Sequence, residues 1–214
     1  MPPRPRGGSE ARPFTLPLFP LRTVLFPGGA LPLRIFEQRY IAMAKACLRD
    51  GTGFGVCLIT QGNEVAHRAA SEMPRPPEFA AIGTQARIAR WDMPQLGIIH
   101  VHTEGGSRFR VESSSAQPDD LVVGTVKAIA AEPTHPLSPT YAPLVRLLEL
   151  LADRVGPQHF PEERHYDDAS WVGYRLAELL PLPLTIKQGM LEINDGEVRL
   201  SVLAKFLRER GLLP

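Results

Sequence analysis

Apolar side chains recur every second residue in the first part of the chain and every three or four residues in the last part. Phe14, Leu16 and Leu18 alternate with Thr15 and Pro17, and Leu31, Leu33 and Ile35 alternate with Pro32 and Arg34. Both stretches read as strands, and their prolines suit ends or edges because proline has no N–H to give a ladder. Pro27-Gly28-Gly29 marks a turn between them. Phe36, Tyr40, Met43/Ala44 and Cys47/Leu48 then predict a helix with Glu37 in its first turn and Gly51 as its stop. Residues 54–59 are nearly all apolar and read as a strand buried on both faces. Residues 61–77 are polar and proline-punctuated, and predict a long surface loop. Residues 80–91 and 96–103 read as paired strands joined by Asp92-Met93-Pro94-Gln95. A second turn at Glu104-Gly105-Gly106-Ser107 leads into a strand at 108–112, Ser113-Ser114-Ser115 reads as loop, and 121–129 as a last strand.

Beyond Pro133, Pro136 and Pro139 the helical period takes over. Ser138-Pro139 suits an N-cap followed by the first helical position, where a missing N–H costs nothing. Leu144, Leu147/Leu148, Leu151 and Val155 form the first stripe, closed by Gly156-Pro157. Asp167/Asp168 can cap a second helix bearing Trp171/Val172, Leu176 and Leu179/Leu180. Thr185-x-x-Gln188 has the spacing of a capping box at the start of a third. A terminal helix carries Val198, Val202/Leu203 and Phe206/Leu207. Three regions follow: a flexible tail at 1–13, a β-rich part at 14–133 holding one helix, and a helical part at 138–214.

Composition narrows the class without naming an activity. With 43% hydrophobic and 22% charged residues the chain is an ordinary soluble globular protein, and 18 Gly with 22 Pro predict many turns around a folded core. Lys+Arg 24 against Asp+Glu 23 leaves a formal charge of +1, so a dedicated nucleic-acid domain is not expected. Two cysteines make neither a disulfide framework nor a zinc motif, and no apolar run precedes Phe14. The stretch 14–36 is too rich in proline and arginine to span a membrane, so the expected setting is the cytoplasm.

Candidate chemistry is sparse. A phosphate-cradling P-loop needs Gly-Lys before Ser or Thr, but Lys45, Lys127, Lys187 and Lys205 follow Ala44, Val126, Ile186 and Ala204. Gly53-x-Gly55 has no third glycine, and no Gly-x-Ser-x-Gly elbow occurs. His100 and His102 share one face of a predicted strand, a spacing that could hold a metal only with a third ligand. Glu162, Glu163, His165, Asp167 and Asp168 resemble a ligand cluster but read as solvated loop residues and helix caps. Cys47 and Cys57 fall on core positions and read as small apolar residues. No catalytic, cofactor-binding or metal residue is therefore assigned, and no cofactor is expected.

Three collinear motifs carry a family resemblance. They are Leu16-Pro17-Leu18-Phe19-Pro20-Leu21 with Val24-Leu25-Phe26-Pro27-Gly28 and the run from Leu31 to Tyr40; Ile82-Gly83-Thr84 with Gly105-x-x-Arg108-Phe109-Arg110-Val111; and Lys187-Gln188-x-x-Leu191-Glu192 with Arg199-Leu200. Together they resemble the N-terminal, substrate-binding domain of Lon proteases, particularly its stand-alone bacterial versions, over residues 14–210. Gln38 departs from the proline common there. The resemblance implies an α+β fold, a PUA-like β-barrel with an inserted helix followed by a C-terminal helical bundle, with Arg34, Glu37, Arg39 and Arg108 pairing to fix the first helix against the barrel. Lon's ATPase and Ser-Lys peptidase modules would lie beyond Pro214. The expected function is non-catalytic binding of unfolded or partly folded polypeptide, beside a protease or chaperone partner; the alternative is an RNA-binding PUA-like protein. No peptide-binding residue follows from the sequence.

Overall fold

The computed structural model describes residues 12–62, 77–134, 136–156, 160–161 and 163–213. Residues 1–11 of the tail expected at 1–13, most of the 61–77 loop, Pro157 and Glu162 lie outside the described residues. The elements run β1 (Phe14–Leu21), β2 (Ala30–Ile35), α1 (Gln38–Asp50), β3 (Phe54–Gln61), β4 (Glu78–Phe79), β5 (Ile82–Gln95), β6 (Ile98–Ala116) and β7 (Val122–Ala128). A 3-10 turn at Pro139–Tyr141 then leads to α2 (Ala142–Val155), α3 (Ala169–Leu179), α4 (Leu184–Glu192) and α5 (Gly196–Glu209). The architecture is α+β, a single mixed sheet followed by helices.

Strand pairing runs β1-β7-β6-β5-β3 and returns from β3 to β1, so the ladder closes on itself. β1 makes this possible by changing partner at Leu18. Phe14–Leu18 pair antiparallel with β7, and Leu18–Leu21 pair parallel with β3. Each half of β1 therefore has one side without a strand among the described residues, which accommodates Pro17 and Pro20. β5 and β6 are much longer than the rest and project past this circuit, where β2 pairs with Ala30–Glu104 to Ile35–Ile99 along the far side of β6. The result is a three-stranded extension, β2-β6-β5, continuous with the closed part.

Gly105 sits where β6 passes from one part to the other. A Cβ there would stand 2.1 Å from the Phe26 carbonyl oxygen. Gly28 N–H donates to Gly105 O at 2.7 Å and Gly105 N–H to Gly29 O at 2.8 Å, tying the β1–β2 loop to the strand. The expected turn at 104–107 is thus a through-running strand. Its glycines serve close approach rather than chain reversal. Ser113–Ser115, expected as loop, pair with Thr125–Val123 of β7.

α1 lies on one face of the extension, sharing a core of Ile35, Tyr40, Met43, Ala44, Cys47, Ala86, Ile99 and Val101. It stops at Gly51, whose φ of 64° is left-handed. Phe36, expected on the stripe of this helix, precedes it and is exposed. The C-terminal helices pack on each other and on Val24, Phe26, Leu58 and Ile82 of the sheet region in one apolar cluster. Asp168 and Asp195 cap α3 and α5 by accepting from Ser170 N–H and Val198 N–H. The capping box expected at Thr185 and Gln188 does not form. α4 begins behind Pro183, and Gln188 instead donates to Ile82 O of β5 at 2.9 Å. α5 is rotated from its expected stripe: Leu200, Leu203, Ala204 and Leu207 are buried, while Val198 and Val202 face outward.

Candidate functional site

Antiparallel partners share a sheet face, so the register of the extension sorts its side chains. On one face Val101 pairs with Leu33 and Trp91, and Ile99 with Ile35. On the other, His100 stands between Arg34 and Asp92, and His102 between Pro32 and Arg90. The first face is apolar and carries α1; the second is exposed. Near the β5–β6 turn the apolar face emerges from beneath the helix. Trp91 is 55% exposed and Leu96, at the turn, 92%; Phe36, following the end of β2, is 54% exposed. By register the three stand toward the same end of the extension, Trp91 on the α1 face and Phe36 one residue past the inward-facing Ile35, while Met93 and Ile98 are half-buried. Exposed large apolar side chains at one end of a sheet suit an interaction surface.

β5 adds a second feature. β3 pairs with it only at Thr84–Ala86, so from Arg87 to Met93 its outer edge has no strand partner among the described residues. A register shift between Ile88 and Arg90 interrupts this edge, and Pro94 with the shift between Asp92 and Gln95 ends it. Such an edge offers backbone donors and acceptors to an incoming extended chain. Of the charges here, Arg87 is paired with Glu104 at 2.5 Å.

A buried polar hub joins the sheet to the helices at the opposite end of the chemistry. Glu132, between β7 and the helices, accepts from Arg199 Nη1 (2.9 Å), Ser170 Oγ (2.7 Å) and Tyr174 Oη. Arg108 of β6 lies 3.2 Å from its carboxylate. Both arginines also donate to the C-terminal carbonyls of α4: Arg108 to Leu191 and Ile193 at 2.8 and 2.9 Å, and Arg199 Nε to Met190 at 2.8 Å. The excess positive charge is thereby met by the negative end of a helix. Burial alone would raise the Glu132 pKa, but hydrogen bonds from Arg199 and Tyr174 outweigh it and hold the carboxyl below its usual value. Arg175 forms a further tie from α3, donating to Gly28 O at 2.7 Å and Pro27 O at 2.8 Å while pairing with Glu178. These groups are consumed in holding elements together.

The residues singled out from sequence scatter. His100 and His102 are exposed on the polar sheet face. Glu163 and His165 approach to 3.9 Å on the surface, Asp167 is exposed, and Asp168 caps α3. Among the described residues no three His, Cys, Asp or Glu side chains are arranged to hold a metal. An open cleft of about 660 Å³ lies between Thr134, Leu137, His165 and Tyr166. Burial pushes the Cys57 thiol up to about 12 and raises Cys47 as well, which suppresses both as thiolate nucleophiles. Arg39 pairs with Glu37 at 2.8 Å and donates to Asp120 O at 2.8 Å, fixing the start of α1. Arg108, expected to serve the same helix, instead holds the C-terminal helices, and Arg34 is exposed on β2. The hairpin expected from sequence forms, but Asp92–Gln95, expected as its connection, belong to β5, and the chain turns at Leu96-Gly97 instead. The exposure of Trp91 and Leu96 and the Glu132 hub were not foreseen.

A closed sheet with a projecting hairpin, packed on a set of helices, defines the class. Residues 15–209 match the ATP-dependent protease La (LON) substrate-binding domain, and the chain belongs to that family. A solved Lon N-terminal domain protein from Xanthomonas campestris is 36% identical with a TM-score of 0.70, covering 90% of this chain and 98% of its own. The N-terminal domain of the Mycobacterium avium complex Lon protease has a similar fold, with a TM-score of 0.57 at 18% identity, covering 90% and 97%. Lon protease 2 of Myxococcus xanthus is 27% identical over 226 residues, and the Lon protease of Cytophaga hutchinsonii 32% over 210. The alignments cover 95% and 92% of this chain but 25% and 24% of theirs, so the chain spans about a quarter of the length of these curated relatives. No helix among the described residues is long and apolar enough to cross a membrane.

Proposed function

We propose that this chain is a non-catalytic recognition module that binds exposed apolar segments of unfolded or partly folded polypeptides. Membership in the Lon substrate-binding family carries the proposal, and the exposed Trp91, Leu96 and Phe36 supply apolar surface suited to it. In this reading residues 14–133 form a PUA-like barrel subdomain and 138–214 a helical bundle. The closed strand circuit and the shared apolar cluster of the helices support that division. The chemistry is grip without bond cleavage. Neither thiol is activated, and the buried ionic groups serve packing. A cytoplasmic setting, beside a protease or chaperone that acts on what is bound, fits two unpaired cysteines. The near-balanced charge weighs against RNA as the ligand, since phosphate contacts require concentrated basic residues.

Fluorescence anisotropy with labelled, reduced and carboxymethylated α-lactalbumin tests this directly. Saturable binding in the micromolar range, weakened when Trp91 and Leu96 are replaced by Ser, is the expected outcome. Failure to bind across that range, or binding indifferent to both substitutions, contradicts it.

A further inference from the structure

The pattern along the open part of β5 is complementary to itself. β3 covers the strand up to Ala86, and β5 ends at Gln95. Trp91 is the midpoint of the stretch from Arg87 to Gln95. Register shifts disturb the pairing with β6 on both sides of it, between Ile88 and Arg90 and between Asp92 and Gln95. Between those shifts Arg90, Trp91 and Asp92 pair one for one with His102, Val101 and His100. All three are exposed, Arg90 and Asp92 on the polar face and Trp91 on the α1 face. Asp92 accepts from Met93 N–H at 2.7 Å, and no ion pair among the described residues engages it or Arg90.

An open edge offers its N–H and C=O groups to another strand, and a second copy of the chain brings the same edge. Two identical edges pair antiparallel about a two-fold axis perpendicular to the sheet, which keeps each face continuous across the join. Directly opposite residues then share a face, so the axis passes between one residue and its own counterpart. An axis at Arg90 sets arginine against arginine, and an axis at Asp92 sets aspartate against aspartate. Like charges so placed destabilise both registers. With the axis at Trp91, Arg90 of each copy lies opposite Asp92 of the other, and the indoles meet on the apolar face. The same register runs Arg87 against Gln95, so each β5 ends just short of the point where β3 covers the other copy. We infer that two copies of this chain pair through their β5 edges in the register centred on Trp91. The contact is one strand edge with its flanking side chains, smaller than a permanent dimer needs, so association is weak and rises with concentration. This goes beyond the polypeptide-binding reading. Because Trp91 belongs to both surfaces, the paired form holds the polypeptide surface closed.

Sedimentation velocity on the full chain, from low to high micromolar concentration, reads the association. The expected result is a monomer–dimer equilibrium that added salt weakens. Arg90→Asp and Asp92→Arg should each weaken self-association by about tenfold or more, because each opposes like charges twice. Mixed together, the two variants should pair with each other, and a chain carrying both substitutions should regain self-pairing. Neither rescue is open to a variant that has simply misfolded. Reduced, carboxymethylated α-lactalbumin is added in a parallel series, with amide exchange followed across Arg87–Gln95. A chain that stays monomeric throughout overturns the inference, and protection of that stretch by α-lactalbumin then assigns the edge to polypeptide instead. Dimerisation indifferent to both single reversals, or reversals that neither the mixture nor the double exchange rescues, also overturns it. Dimerisation with the full rescue pattern but no α-lactalbumin binding supports the inference and contradicts only the polypeptide-binding reading.

Discussion

Glu132 shows how much one side chain can be asked to do. It is buried between Arg199, Arg108, Tyr174 and Ser170, which come from a strand and two helices. Glu132→Gln removes the negative charge and strands both arginines, a change expected to cost about 3–5 kcal/mol, measured by urea denaturation. Its pH signature has a definite sign. A carboxyl whose pKa is depressed on folding contributes stability that is complete above its unfolded value, about 4.3 for Glu, and lost as pH falls through the lower folded value. Between those limits the native protein should lose stability faster than Glu132→Gln, which starts lower but lacks this titration. The thiols give an independent check on burial. Cys47 and Cys57 should resist DTNB in the folded protein and both react once it is unfolded, because burial holds each above its ordinary pKa.

At the scale of elements, Gly105 and the hairpin make opposite demands. Gly105→Ala forces a methyl against the Phe26 carbonyl, which must shift, and should cost about 1–3 kcal/mol of stability. Trp91→Ser changes a residue more than half exposed and should alter stability by no more than about 0.5 kcal/mol, while weakening polypeptide binding. Period-two alternation was enough to read β2 and the start of β1 from sequence; the second half of β1, Leu18–Leu21, is buried on both faces. Gly51 announced the end of α1. Where the reading failed, tertiary contact overrode local signals. Gly105 and Gly106 look like a turn until Phe26 is placed against them, and Ser113–Ser115 look like loop until β7 supplies their hydrogen bonds. α5 carries two apolar stripes, and only its neighbours decide which is buried. The hub was illegible for a similar reason: Glu132 is a lone acid beside a proline-rich connection, and its partners lie far away in sequence. Trp91 was read as an ordinary strand residue, because exposure on a sheet edge depends on which strand fails to arrive.

The whole molecule holds its sheet and helices as one unit. Arg108 and Gln188 bond across the junction, Arg175 reaches the Pro27-Gly28 turn, and the largest apolar cluster contains residues from both sides. Thermal unfolding should therefore give a single transition, with near-ultraviolet and far-ultraviolet signals coincident. Arg108→Met, which removes one of the two arginines on Glu132, should lower the midpoint and separate the two signals if the junction is what couples them. The most direct test is hydrogen–deuterium exchange on the intact chain with and without reduced, carboxymethylated α-lactalbumin. Protection concentrated in residues 87–98 is the expected result. Unchanged exchange there under saturating ligand, with protection appearing on the helices instead, would contradict it.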